Sequence, residues 1–215
     1  MKYRVLIGIL SSNKGRYAAR RALVRRTWFS ACEKYGLVPK FVMGSYFVNA
    51  PLEVDDLLVL PGPDEYVALM PRLVAWCRWA STFSWDYIFK CDDDTLLVPN
   101  RLAEIAEQHA DAGHNYVGSV FAGDPLACLG GSGCLFSRKA AAVIATAQPS
   151  DVGHDDIASG HLLSAWGMPP VDEPRFGRIG AQSPSADNDL ATGVEQPLSA
   201  WEAWGDWPSP SPKGA

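Results

Sequence analysis

The chain has 215 residues, 47% hydrophobic and 20% charged, which bounds it to one globular domain with a sizeable core. Its formal charge of −5 excludes the basic footprint of a general nucleic-acid binder, so no nucleic-acid partner is expected. Five cysteines (Cys32, Cys77, Cys91, Cys128, Cys134) form neither metal-type pairs nor a dense framework, and predict free thiols in a reducing compartment.

The first ten residues are strand-like and too short for a signal peptide, and no apolar run is long enough to span a bilayer. Both features predict a cytoplasmic protein. Val5 to Leu10 reads as a buried first strand, ended by a polar loop at 11–15. A helix is expected over 16–35, with Gly36 as its stop. Its apolar stripe (Val24, Trp28, Ala31, Tyr35) passes backwards through Arg21 and Tyr17, which turns Arg21 inward. Lys14, Arg16, Arg20, Arg21, Arg25 and Arg26 give this stretch a local charge of +6 without an acid, leaving −11 elsewhere. Arg16, Arg20 and Arg26 fit a solvated face, whereas Arg21 and Arg25 are the candidates for binding an anion.

Strands are predicted over 39–44 and 56–60, and a helical pattern on Tyr66, Leu69, Met70, Leu73, Trp76, Cys77 and Ala80 follows. Pro71 means that this helix either kinks or starts there. The next strand, Tyr87-Ile88-Phe89, runs into Lys90-Cys91-Asp92-Asp93-Asp94. Three adjacent carboxylates at the end of a buried strand require a positive partner, either a metal ion or basic side chains. Strand ends are also where open α/β sheets bind ligands. Asn100 is the expected N-cap of a helix to about Asp111, and Tyr116 to Val120 reads as a strand. The glycines of Leu129-Gly130-Gly131-Ser132-Gly133 match no phosphate-loop fingerprint and suit a close backbone approach to a ligand or to the sheet. Helices are predicted over 138–147 and 155–166. The second opens on Asp155 and Asp156, which its dipole favours. The residues from about Ser185, with Trp201, Trp204 and Trp207, read as a loose tail of 185–215 beyond a domain of 1–184. Strand–helix alternation argues for a single α/β domain.

Taken in order, these landmarks resemble the β-1,3-glycosyltransferases that include Fringe, core-1 galactosyltransferase and the β-1,3-N-acetylglucosaminyltransferases. The matching blocks are Arg21-Ala22-Leu23-Val24-Arg25-Arg26-Thr27-Trp28, the 64–72 stretch from Asp64 to Arg72, Lys90-Cys91-Asp92-Asp93-Asp94, Gly131-Ser132-Gly133-Cys134 and Asp155-Asp156-Ile157-Ala158-Ser159-Gly160. The resemblance implies a GT-A fold, a Rossmann-like domain around a mixed sheet flanked by helices. It implies inverting transfer of a Gal, GlcNAc or GalNAc type sugar from a UDP-sugar to a glycan hydroxyl, with a β-1,3 linkage. By the same analogy Asp94, with Asp92, would hold Mn²⁺ or Mg²⁺. Asp92 and Asp93 would also serve the donor, together with Arg21, Arg25, Arg72, Gly131 and Gly133. Asp156, or failing that Asp155, would be the base.

The bottom-up chemistry agrees. A hard divalent ion takes oxygen ligands and bridges a diphosphate, and a carboxylate on the far side of the sugar takes the acceptor proton. Two departures stand out. No histidine follows His161, so the family's C-terminal metal ligand is replaced, with Glu195 the nearest oxygen donor. The family's usual anchor and stem are missing too, which points to a bacterial or viral-type soluble enzyme. The alternatives are an inactive relative that binds nucleotide-sugar or glycan, and a metal-dependent phosphotransferase. The latter leaves the basic helix and Asp155–Asp156 without a joint role.

Overall fold

Every residue of β1 (Val5–Leu10) is buried, as suits a strand covered on both faces. The structure, a computed structural model, describes residues 2–148 and 154–176. β1 lies between two parallel neighbours, β2 (Leu37–Ser45) and β5 (Tyr87–Asp92), so that Leu10 pairs with both Val42 and Asp92. β4 (Leu57–Pro61) continues parallel to β2, and the short β3 (Leu52–Val54) closes that edge antiparallel. On the other side, β9 (Cys134–Ser137) runs antiparallel to β5 and to β6 (Tyr116–Gly118), and β10 (Val171–Asp172) lies parallel to β6. The eight strands stand in the order β10-β6-β9-β5-β1-β2-β4-β3. β7 (Val120–Phe121) and β8 (Asp124–Cys128) form a separate hairpin.

Alternation along β1 sorts the core into two layers. Leu6 and Leu10 pack with Trp76, Cys77, Leu58 and Ile88 beneath α2 (Leu69–Ala80), α4 (Arg138–Ala145) and α5 (Asp155–Ala165). Val5, Ile7 and Ile9 pack with Val24, Trp28, Phe89 and Leu102 beneath α1 (Gly15–Thr27) and α3 (Pro99–Asp111). Gly8 faces α2, where an added Cβ would lie 2.3 Å from the Trp76 ring, so the helix rests directly on the central strand. Trp28 and Trp76 are both fully buried, and truncating either to alanine costs ~3–5 kcal/mol.

Several boundaries differ from those expected. α1 ends at Thr27, and Phe29–Tyr35 continue as a 3-10 helix up to Gly36, whose φ of 67° makes it the stop. The tighter winding shifts the buried position from Ala31 to Cys32. Pro71 falls in the first turn of α2, where no intrahelical amide partner is lost. Val98, not Asn100, is the N-cap of α3, because Pro99 takes the first helical position. β3, β8, β9 and β10 were not expected as strands. β3 is exposed throughout, β8 contains Pro125, and β9 follows directly on the glycine run. All five cysteines are free and buried. Among the described residues, no helix is long and apolar enough to cross a membrane.

Candidate active site

The chain runs outward from β1 through β2 to β4, then crosses back to β5 on the other side of β1. The crevice beyond the carboxyl ends of β1 and β5 is therefore a topological switch point, where open α/β sheets bind ligands. A cleft of about 100 Å³ opens there, lined by Ser11, Ser12, Tyr17, Arg20, Asp64, Arg72 and Asp92 to Asp94. β1 delivers the two serines, β5 the three acids, and α1 and α2 the two arginines.

The carboxylates find their positive partners in basic side chains. Arg20 Nη1 lies 3.2 Å from Asp93 Oδ1 and 3.1 Å from Asp94 Oδ2. Lys90 Nζ lies 3.2 Å from Asp92 Oδ1 and 3.0 Å from Asp155 Oδ2. Arg20 thus leaves the solvated face to which the sequence assigned it, because the end of β5 lies within its reach. Asp93 is buried, and its second oxygen accepts from Ser11 Oγ at 2.6 Å. Both of its oxygens have partners within the protein, and it braces the β1 loop while lining the cleft. Burial raises its pKa, against the pull of Ser11 and Arg20. Burial also raises the pKa of Asp92, with Lys90 opposing; a third of this side chain opens to the cleft, which moderates the rise. For Lys90 burial alone would lower the pKa, but Asp155 and Asp92 outweigh it and hold the ammonium firmly charged.

Four of the residues expected to serve the donor have partners within the protein. Arg21 is turned inward as its helical phase requires, but Nη1 donates to Ser11 Oγ and to the Ser12 carbonyl, holding the β1–α1 loop from beneath. Arg25 forms a two-pronged pair with Asp56 (2.6 and 2.8 Å) and stacks on Phe41, away from the cleft lining. The glycines serve packing: Gly133, at φ 95°, would set a Cβ 2.2 Å from the Phe89 ring, and the Gly131 carbonyl accepts from Thr95 Oγ1. Arg72 does line the cleft. Its guanidinium donates to the carbonyls of Ser11, Pro63 and Glu65, and its buried Nε has no hydrogen-bond partner among the described residues.

Asp155 and Asp156 open α5 but differ in setting. Asp155 is buried against Lys90. Asp156 is half-buried, and its Oδ2 accepts from the Gly130 amide at 3.3 Å. The side chain on the open side of this pair is therefore Asp156. The sequence alone assigned no individual role to Asp64 or Lys90, and for Gly130 it gave only a close backbone approach. Asp64 accepts from Ser12 Oγ, the Asn13 amide and the Gly44 amide, lacing the ends of β1 and β2 together. Gly44 admits this contact because a Cβ there would lie 2.2 Å from the Pro63 carbonyl. Asp64 and Lys90 both lie inside the blocks that carry the family resemblance, which was the available signal. His161 pairs with Asp124 at 2.6 Å and braces the β7–β8 hairpin. Glu195 and the three tail tryptophans lie outside the described residues.

Among the described residues, no group of three or more His, Cys, Asp or Glu side chains is arranged to hold a metal ion. Asp92 and Asp94 do line the same cleft, and two carboxylates fit a small divalent ion that takes its remaining ligands from substrate phosphates and water.

Comparison with known proteins decides the family. Residues 19–127, half of the chain, match the galactosyltransferase family model. The chain belongs to the galactosyltransferase family. Curated relatives include the hydroxyproline O-galactosyltransferases GALT6 and GALT5 of Arabidopsis thaliana, each 28% identical over 127 residues. Those matches cover 54% of this chain but only 18% and 19% of the plant proteins, so this galactosyltransferase-family chain spans about a fifth of their length. Among solved structures, the mannosyltransferase PcManGT from Pyrobaculum calidifontis, in complex with GDP-Man and Mn²⁺, superposes with a TM-score of 0.56 at 15% identity. It covers 87% of this chain and 59% of its own, and the shared architecture is the GT-A fold.

Proposed function

We propose that this galactosyltransferase-family chain transfers a hexose, of Gal, GlcNAc or GalNAc type, from a UDP-sugar to a glycan or glycoprotein hydroxyl, with inversion and a β-1,3 linkage. One observation carries the reading: a switch-point cleft holds Asp92, Asp94 and Arg72, while a second carboxylate, Asp156, stands at the start of α5 and is joined to that cleft through Gly130 and Lys90. The activity for which the plant relatives are named supports galactose as the first donor to test and a hydroxyl group as the acceptor.

In this reading Asp156 removes the proton of the acceptor hydroxyl as its oxygen bonds to the anomeric carbon from the face opposite the leaving group. The bond between that carbon and the diphosphate oxygen breaks, and UDP departs with the electron pair. A divalent ion held by Asp92 and Asp94 supplies charge neutralisation to the diphosphate when bound. Arg72 offers a buried guanidinium to the same anion, and Arg20 fixes the carboxylates around it.

A second reading is donor binding without transfer, favoured by a metal site of only two carboxylates among the described residues. A thermal-shift panel of UDP-galactose, UDP-GlcNAc and UDP-GalNAc, with and without Mn²⁺, tests the donor half shared by both. At a donor concentration one hundred times Kd, stabilisation of about 2.7 kcal/mol is expected, seen only with Mn²⁺ present. If no UDP-sugar raises Tm with Mn²⁺, both readings are wrong. Acceptor-dependent UDP release then separates them.

A further inference from the structure

Lys90 is 2% exposed and reaches from the middle of the sheet to both acid clusters. Its ammonium lies 3.2 Å from Asp92, 3.0 Å from Asp155 and 3.3 Å from the Gly130 carbonyl. Among the described residues, the first turn of α5 has polar side-chain ties to the sheet side of the cleft at Asp155 and Asp156. The N-cap residue His154 provides no side-chain cap hydrogen bond. The ties between α5 and β8, a close contact of Gly160 with Leu126 and the His161–Asp124 pair, come a full turn later. Among the described residues, Lys90 on Asp155 and the Gly130 amide on Asp156 reach the first turn itself. Gly130 fits the junction because it lacks a side chain. An added Cβ would lie 2.8 Å from Lys90 Nζ and 3.3 Å from the Asp156 Cβ.

We propose that Lys90 is a positioning residue: seated against Gly130, it fixes the first turn of α5, and with it Asp156, relative to the carboxylates at the end of β5. The proposal rests on the glycosyltransfer reading for its kinetic consequence, but not for its structural one. Lys90 is buried and is not among the residues that line the cleft. It ties the metal-side and base-side acids to a single buried cation. A geometric constraint of this kind acts on the chemical step, since a misplacement of about 1 Å costs up to ~100-fold in rate.

Three variants of the full chain test it. Asp155→Asn cuts the tie to α5 but leaves the Lys90–Asp92 pair. Gly130→Ala wedges the junction with every charge kept. Lys90→Met removes both ties at similar volume. For Asp155→Asn and Gly130→Ala the proposal expects amide hydrogen exchange at residues 156–159 to quicken by roughly 10-fold or more, while the β1 amides stay protected. It expects kcat to fall by roughly 10- to 100-fold, with the Kd for UDP within about 3-fold of wild type. Lys90→Met should also weaken UDP binding, because Asp92 loses its partner; if it does not fold, the other two variants decide alone. Unchanged exchange at 156–159 in both overturns the proposal. If Asp155→Asn loses kcat with unchanged exchange, Asp155 is itself the base and the positioning role is overturned. A wild-type chain that transfers nothing refutes the glycosyltransfer reading, and the exchange data still decide the proposal.

Discussion

Arg72 shows how one buried cation serves two purposes at once. Its guanidinium donates to three backbone carbonyls, one in the loop after β1 and two in the loop after β4, which locks the rim of the cleft. Its Nε is buried without a hydrogen-bond partner among the described residues, and the side chain lines the cleft. Lysine keeps the charge but loses the planar fork, so Arg72→Lys is not a conservative change here. We expect it to weaken UDP binding by about 10-fold in calorimetry, the loss of one charge-assisted hydrogen bond at ~1.5 kcal/mol. An unchanged Kd would remove Arg72 from the donor site. Arg25 shows the opposite case. It falls in the same basic run, yet Asp56 takes both of its prongs.

At the scale of elements, β10 is held to α3 by a buried cluster. Glu173 accepts from Arg175 and from its own partner on α3, His109 (Nε2 at 2.9 Å), while His109 Nδ1 meets His114 at 2.8 Å. Burial alone would raise the pKa of Glu173, but the bonds from Arg175 and His109 prevail and bring it from 4.5 to about 2. A depressed carboxylate stabilises the fold above its unfolded pKa, and this contribution is lost as pH falls through the folded value. The window is therefore pH 4.5 down to about 2, and the contribution on the order of 2–3 kcal/mol. Urea unfolding should show Glu173→Gln less stable than wild type at pH 6, with the gap narrowing by pH 3. A gap independent of pH would contradict the assignment.

The elements that could be read from the sequence are those with long apolar runs or clear stops. β1, β5 and the Gly36 stop have local causes, and so does the acidic opening of α5. β3 and β10 are too short to carry a pattern, and their strand character comes from the neighbour they pair with. In the site, helical phase turned Arg21 inward but did not reveal the partners it meets within the protein, Ser11 Oγ and the Ser12 carbonyl. Lys90 and Gly130 depend on contacts spanning 40 residues, and no local rule carries those.

Over the whole molecule, one topological fact organises the chemistry. The chain reverses its direction of travel across the sheet at β1, so the ends of β1 and β5 part to form the cleft. The mixed right half, β5-β9-β6-β10, then brings the 3-10 turn at Gly130–Ser132 and the start of α5 to the rim of that opening. Two acid groups distant in sequence thereby come to share one buried lysine. The most direct test of the account is UDP release from UDP-galactose, in Mn²⁺ with a hydroxyl acceptor, by wild type and by Asp156→Asn. Acceptor-dependent release by wild type is expected, with a loss of roughly 10²–10⁴-fold in kcat for the variant and little change in donor KM. Release by Asp156→Asn at the wild-type rate would contradict it.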